Sequence, residues 1–369
     1  MIVLVAPNAY KGTLGQLDAA QVIAEAIAAE SPDSRCVLHP IADGGDGFVE
    51  SLAFLKRVEP HRMTVPAPLG GTVTVPILRQ GNRATLDISS CVGFRTVNRF
   101  DPGIATSAGL GEAISAVLSS GASELIIGVG GSVTVDLGLG MASRLGVRFY
   151  DAQGHAFEPR GINDLTRITS INAEACIRRF DGIRLTCACD VVCPLNGDDG
   201  GLAVFSPQKG VGPGMMQELR EQAQRLAELF SASTGVNAAD MPGAGAAGGI
   251  SAALAWFCGA QLLEGFRWFA QETDLEPRVG GADLVISGEG TFDATSLKGK
   301  ATEGLLGMSR RLGKRVLMFV GSAQSSLPGV AFVELCYNEG ECMNDEQTVR
   351  AVLARAVRTA FGSGLVDLS

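Results

Sequence analysis

Residues 124–140 read ELIIGVGGSVTVDLGLG. The opening Leu125-Ile126-Ile127 is a short, β-branched apolar run, the pattern of a buried strand. It empties into Gly128-Val129-Gly130-Gly131-Ser132, followed by Thr134 and Asp136, and a helix is expected over about 138–145. A strand that ends in glycines and hands over to a helix leaves bare backbone N–H groups where the helix dipole is positive. Such a turn holds an anion well, a phosphate above all. Ser132, Thr134 and Asp136 are expected to add two hydroxyls and a carboxylate at the same rim. A tight turn in an ordinary α/β domain reads the same way from this segment alone.

The flanks repeat this grammar. Residues 2–6 form a first strand, 17–30 a helix with Ala20, Ile23 and Ile27 at helical spacing, and 36–38 a second strand. That strand ends in Asp43-Gly44-Gly45-Asp46-Gly47, and a short helix runs on to about residue 55. A βαβα order implies a parallel sheet with ligands at the strand carboxyl ends. After Lys56 the texture changes to three prolines within 58–68 and paired strands over 73–78 and 84–88. A helix is expected over 107–119, irregular structure over 150–180, and strands over 185–188 and 203–205. An amphipathic helix over 215–230 and a helical region over 250–271 come next. The opening rhythm returns at Asp283, with strands over 284–287, 316–320 and 333–336 and helices over 302–311 and 346–361.

The expected fold is therefore α/β in two domains. A Rossmann/flavodoxin-like parallel-sheet domain is formed by both chain ends, residues 1–66 plus 281–369. An α/β domain, residues 67–280, is inserted between them, and the active site is expected in the cleft. A chain of 369 residues exceeds the size at which one core keeps growing. The G-x-G-x-x-G within 242–249 follows Asp240-Met241-Pro242 instead of a strand, so it is not a dinucleotide fingerprint. Close packing of two backbones, or a phosphate contact, would explain it.

Net charge of −9 argues against nucleic acid or an anionic membrane as partner, and no apolar run is long enough to cross a bilayer. Nine scattered cysteines without zinc-ligand spacing, and no secretory leader, fit a cytoplasmic protein with structural thiols. His39, His61 and His155 fall outside the glycine-rich turns, which makes histidine acid–base chemistry improbable. Many glycine amides with several Asp and a few Lys suit phosphoryl transfer, which needs charge neutralisation, a bridging metal and an oriented nucleophile. Carboxylate oxygens suit Mg²⁺. The Walker loop and the protein-kinase catalytic loop are both missing from the sequence.

Six segments, in this order, carry a resemblance: VAPNAYKGTL (5–14), PIADGGDGFVE (40–50), GVGGSVTVDLGLGM (128–141), CDVVCPLNGDDGGLAVFSPQKG (189–210), PGAGAAGG (242–249) and DLVISGEGTFDATSLKGKA (283–301). Together they resemble the bacterial glycerate kinase family of the glycerate 2-kinase type. The resemblance implies transfer of a phosphoryl group from ATP to glycerate with Mg²⁺, in a chain of two α/β domains, one of them discontinuous. The sequence departs from the family pattern at Val135 and Leu137, where Asn and Gly are usual. It also departs at Thr291 for Arg, Thr295 for Gln, Thr302 for Pro, and at Ala108 and Leu110. Loss of a bidentate Arg clamp implies that either another cation compensates or the acceptor is a different small hydroxy acid.

On this reading Asp190 is the expected general base or metal ligand, with Asp293 its rival for either role. Lys11 would neutralise substrate carboxylate or the moving phosphoryl group. Asp43, Asp46 and Lys300 would bind substrate, although Asp43 and Asp46 could equally cap a helix. Gly130, Gly131, Ser132, Thr134 and Lys209 would hold the nucleotide, and Glu289 a metal-bound water. The partners expected are a small hydroxy acid and ATP, with a homo-oligomer open.

Overall fold

The computed structural model describes residues 1–362 other than residues 11, 294, 295, 297–299, 339 and 340. Lys11 and Thr295 therefore lie outside the described residues. The chain forms two compact units: Met1–Asp43, Glu50–Arg57 and Phe266–Ser369 in one, Gly44–Val49 and Val58–Gly265 in the other. Residues 44–49, 58–66 and 266–280 thus fall on the other side of the boundaries expected from texture. The strand His61–Pro66 pairs antiparallel with Thr72–Gln80, which places it in the second unit. Phe266 and Leu275 are buried in a core of the first unit, which draws their segment there.

The first unit is built on a five-stranded sheet in the order Val330–Glu334, Arg315–Ala323, Leu284–Phe292, Ile2–Val5, Arg35–Leu38. Every pairing is parallel. Numbered by appearance from the other edge, the order is 2-1-3-4-5, a doubly wound arrangement whose direction reverses between the first and third strands. Alternation along the strands makes two cores. Val3, Val5, Ile286 and Phe319 meet Ile23 and Ile27 of the helix Gln16–Glu30 and Val352 and Val357 of Glu346–Gly362. Leu4, Val285 and Met318 face the other way, toward Leu305 of Ala301–Arg311, Leu275 and Phe266. Each fully buried aliphatic side chain contributes roughly 1.5–3 kcal/mol.

The second unit holds a six-stranded sheet in the order Gln261–Glu264, Arg184–Cys189, Glu124–Val129, Arg83–Asp87, Thr72–Gln80, His61–Pro66. The first four strands pair in parallel, and the last two pairings are antiparallel, so Thr72–Gln80 alone runs against the rest. The helical region expected over 250–271 is broken: Ile250–Cys258 is helix, Gln261–Glu264 a strand beside Arg184–Cys189, and Gly265–Glu272 a second helix. The expected strand at 203–205 is the end of a short helix, Gly201–Phe205, in which Val204 N donates to Gly200 O at 3.1 Å; Gly201 packs on the Gly245 backbone with no room for a Cβ. Within 150–180 the structure is more regular than expected: Arg148–Tyr150 pairs antiparallel with Ala156–Phe157 and Ser170–Asn172.

The glycines of 242–249 are explained by close packing. A Cβ on Gly245 would strike Pro194 O, and one on Gly248 would strike Thr134 O. The segment therefore clamps the two loops that follow Glu124–Val129 and Arg184–Cys189. All nine cysteines are free thiols. Among the described residues, no helix is long and apolar enough to cross a membrane.

His39, in the first unit, is fully buried against Phe269, edge to face at 6.4 Å. Thr273 Oγ1 donates to Phe269 O at 2.8 Å, so His39 Nε2 donates to Thr273 Oγ1 at 3.0 Å and carries the ring proton. Nδ1 is buried without a hydrogen-bond partner. Burial, with Arg278 adding to it, pushes the imidazole down to about 3. In the unfolded chain it titrates near 6.5, so below that pH the unfolded state takes a proton that the folded state refuses. The His39 contribution to stability is then complete above pH ~6.5 and lost toward pH ~3, at up to ~1.4 kcal/mol per unit. In urea titrations between pH 7 and pH 5.5, His39→Gln is expected to flatten the decline seen in wild type; parallel pH profiles would contradict this.

Candidate active site

Three parallel strands of the second unit end side by side. Asp87 lies opposite Gly128, Gly128 opposite Ala188, and Val129 opposite Cys189. The chain continues from these ends into Gly130-Gly131 and into Asp190. Residues 44–49 lie along the same ends. A Cβ on Gly44 would collide with Ala188 O, and the Phe48 ring closes on Gly128. The Val49 amide donates to Asp87 Oδ2 at 3.3 Å. Asp46 comes with this segment: its Oδ1 would stand 3.3 Å from a Cβ on Gly131. Asp190 lies as close to the neighbouring glycine, its Oδ2 2.7 Å from where a Gly130 Cβ would be. Gly130 is thus needed for Asp190 to sit where it does. Asp190 is only partly buried, so its carboxylate can reach a ligand.

Lys209 ends the turn Pro207–Lys209 and points inward. Its Nζ donates to Ser132 Oγ at 2.9 Å and to Thr134 O at 3.1 Å. Burial pushes this amine down to about 7, against the upward pull of the Asp190 and Asp136 carboxylates. Ser132 and Thr134 are themselves buried, and Thr134 Oγ1 has no hydrogen-bond partner. Ser132 Oγ and Thr134 O both accept from the lysine, and Ser132 Oγ in turn donates to Thr134 O at 3.4 Å. The structure thus brings Asp46, Gly130, Gly131, Ser132, Thr134, Asp190 and Lys209 together in one unit.

Asp136 corrects the sequence expectation. It is a buried scaffold and not a rim carboxylate. Its Oδ2 accepts from Ser107 N and Ser107 Oγ, both at 2.8 Å, and from Gly140 N at 3.1 Å; its Oδ1 accepts from Gly138 N at 3.2 Å. Burial raises its carboxyl, and the four donors pull the other way. Val135 and Leu137, which depart from the family pattern, are both buried in the core of this unit, so neither removes a donor from the rim. Leu137 holds φ at 53°, a left-handed conformation that a side chain adopts only under strain.

Asp87 was missed by sequence reasoning. It caps the helix Ile88–Val92, accepting from Ser90 N at 2.8 Å and Ser89 Oγ at 2.9 Å, while its other oxygen holds Val49. The signal was present as an Asp three residues before Ser90, at the end of an apolar strand. Burial raises this carboxyl too, against the hydrogen bonds from Ser90, Ser89 and Val49.

In the first unit the expected residues gather near the carboxyl ends of the central strands. Glu289 is buried within Leu284–Phe292, between Gly288 and Gly290. Tyr10 covers Gly288 and donates from its hydroxyl to Phe319 O at 2.8 Å. Asp43 Oδ2 accepts from Ala301 N at 3.2 Å, capping the helix Ala301–Arg311 directly after Lys300. Asp293 Oδ1 accepts from Ser296 N at 3.3 Å and so shapes its own turn. Thr291 is exposed. Among the described residues, no three His, Cys, Asp or Glu side chains gather as a metal cage. Mg²⁺ does not need one: it keeps several waters and takes one or two carboxylates together with substrate phosphates. A partly exposed Asp190 beside glycine backbone fits that mode.

The glycerate kinase family model matches residues 3–358. Glycerate 2-kinase of Escherichia coli (strain K12) is 36% identical over 326 residues, covering 87% of this chain and 85% of its own. Glycerate kinase of Bacillus subtilis (strain 168) is 34% identical, covering 87% and 85%. The crystal structure reported as putative glycerate kinase 2 from Salmonella typhimurium LT2 superposes with a TM-score of 0.81 at 33% identity, covering 98% of both chains.

The Asp136 network generates a stability prediction. Asp136→Ala strands four donors and is expected to lower the unfolding free energy by at least about 3 kcal/mol. Asp136→Asn keeps one accepting oxygen and should lose about 1–2 kcal/mol. Urea denaturation of the three proteins measures both; an alanine variant as stable as wild type would show that the network carries little.

Proposed function

The chain belongs to the glycerate kinase family, which makes it a phosphotransferase with an alcohol group as acceptor, and on that premise we propose that it phosphorylates glycerate with ATP and Mg²⁺. The products are ADP and phosphoglycerate, 2-phosphoglycerate favoured. The observation that carries this reading is the assembly of Asp190, Gly130, Gly131 and Lys209 at the strand ends of the second unit. Phosphoryl transfer passes through a loose, charge-spread transition state, so catalysis is mostly positioning and electrostatics. Asp190 is reachable and accepts the proton of the acceptor hydroxyl, or else binds the metal. Gly130 and Gly131 offer backbone to the phosphates, and Ser132 and Thr134 fix the lysine. Asp46 orients the acceptor. Mg²⁺, when bound with ATP, neutralises phosphate charge, with Asp190 and Glu289 as separate candidates to hold it or its water.

In the first unit Asp43 and Lys300 are candidates for acceptor binding, with Asp293 an alternative base. Lys11 keeps the expected role of neutralising charge. The reaction belongs in the cytoplasm, where ATP is supplied. A second reading keeps the chemistry and changes the acceptor; the exposed Thr291, where the family pattern has Arg, favours it.

ADP release by the purified protein with ATP and Mg²⁺ is expected to depend on added glycerate. A panel of small hydroxy acids separates the two readings: turnover of another acid with glycerate inert would replace the first by the second. ATP bound without ADP formed would leave a non-catalytic relative. Asp190→Asn should lower kcat by about two orders of magnitude or more with the fold intact; turnover near wild type would remove Asp190 from the role of base.

Lys209 gives a further readout. A polyanion beside it favours the ammonium form, so ATP binding at pH 8 should take up about one proton. Calorimetry in two buffers of different ionisation enthalpy measures this, and Lys209→Met should abolish it. Equal apparent enthalpies in both buffers for wild type would speak against the contact.

A further inference from the structure

The loop after the helix Ile88–Val92 carries a feature that the chemistry above does not use. Phe94 and Phe100 form an edge-to-face pair, ring centroids 5.7 Å apart at 83°. Phe100 is 49% exposed, and among the described residues it is the single aromatic side chain of the second unit with large apolar exposure. Isolated exposed apolar groups are ordinary. This pair is fastened to the anion cradle from two sides. Gly93, next to Phe94, bridges to Ser132 in antiparallel pairing, and Val133 N donates to Val92 O at 2.8 Å. At the other end Gly210, directly after Lys209, has φ of +90°, and a Cβ on it would lie 3.2 Å from Phe100 Cβ. The bare glycine lets the aromatic loop lie against the turn that delivers the lysine. One loop therefore touches Ser132, which accepts from Lys209 Nζ, and Gly210, the residue directly after the lysine.

A nucleoside triphosphate is longer than its phosphates. With the phosphates on Gly130, Gly131 and Lys209, its base must rest on surface beyond the cradle. A base has two π faces, and an exposed phenyl ring buttressed edge-on by a second ring is a surface that stacks on one of them. We infer that Phe100, held by Phe94, is the stacking platform for the purine base of the nucleotide co-substrate. This rests on the phosphotransferase reading above, and it adds a base subsite to it. Stacking reads a π face and not hydrogen-bonding edges, so the platform is tolerant of base identity. Adenine and guanine nucleotides should both be held.

The test uses the full chain and Phe100→Ala and Phe100→Trp variants; the side chain is half exposed, so neither change should unsettle the fold. Phe100→Ala is expected to raise the KM for ATP roughly five- to a hundred-fold, with the KM for the acceptor unmoved. Phe100→Trp should keep the wild-type KM. Its added fluorescence should be quenched by ATP and by GTP and not by inorganic tripolyphosphate, which offers the same phosphates without a base. An unchanged KM for ATP in Phe100→Ala, or equal quenching by tripolyphosphate, would overturn the platform. The fluorescence arm needs no turnover. Absence of ADP release by wild type would therefore count against the kinase reading alone, and quenching would still decide on the base.

Discussion

A carboxylate can be taken out of water only when donors replace the water, and Asp136 shows how far one such requirement reaches. Its two oxygens gather the start of the helix Ala108–Ser119, through Ser107, and the start of Leu139–Leu145, through Gly138 and Gly140. Ser107 Oγ in turn accepts from Met141 N at 2.9 Å, so each group supports the next. Between these anchors runs the chain from Gly130 to Val135, and its far side is pressed by Gly248. Gly130 and Gly131 are therefore held by a polar knot behind them. Their own conformational freedom would otherwise have to be overcome each time a ligand bound.

The same logic applies to a buried cation. Lys209 is buried next to two carboxylates and two oxygen acceptors. Burial works against its charge, and the two carboxylates work for it. Asp87 has a comparable role on the adjacent strand. It uses one oxygen on its own helix start and the other on Val49, tying the segment that carries Asp46 to the sheet. Neither buried acid needs to meet a substrate to matter.

Much of this was legible in the sequence. The stripe of Ala20, Ile23 and Ile27 is buried as its spacing implies; the strand Glu124–Val129 begins one residue before its apolar run, and Leu284–Phe292 begins with its own. The second of these runs on to Phe292 because Thr291 and Phe292 pair with Ser322 and Ala323, a partnership no local pattern announces. Gln261–Glu264 contains only two leucines, and its strand character comes from pairing with Thr186 to Cys189. Ala203, Val204 and Phe205 favour a strand by type, yet they finish a helical turn whose start packs against Gly245, a tertiary context that local preference does not report. The site was half legible. Glycine and Asp at strand ends marked where chemistry could sit. Whether a given Asp faces ligand or interior depends on donors up to 29 positions away, as Ser107 is from Asp136.

The path of the chain has an unobvious corollary. Six residues, Gly44–Val49, belong to the second unit, while the stretches immediately before and after them belong to the first. Neither unit can then be excised as one uninterrupted polypeptide. A gene fragment encoding Val58–Gly265 alone would yield a sheet whose carboxyl edge lacks the hexapeptide, leaving Asp87 Oδ2 without its amide and Gly128 without the ring that covers it.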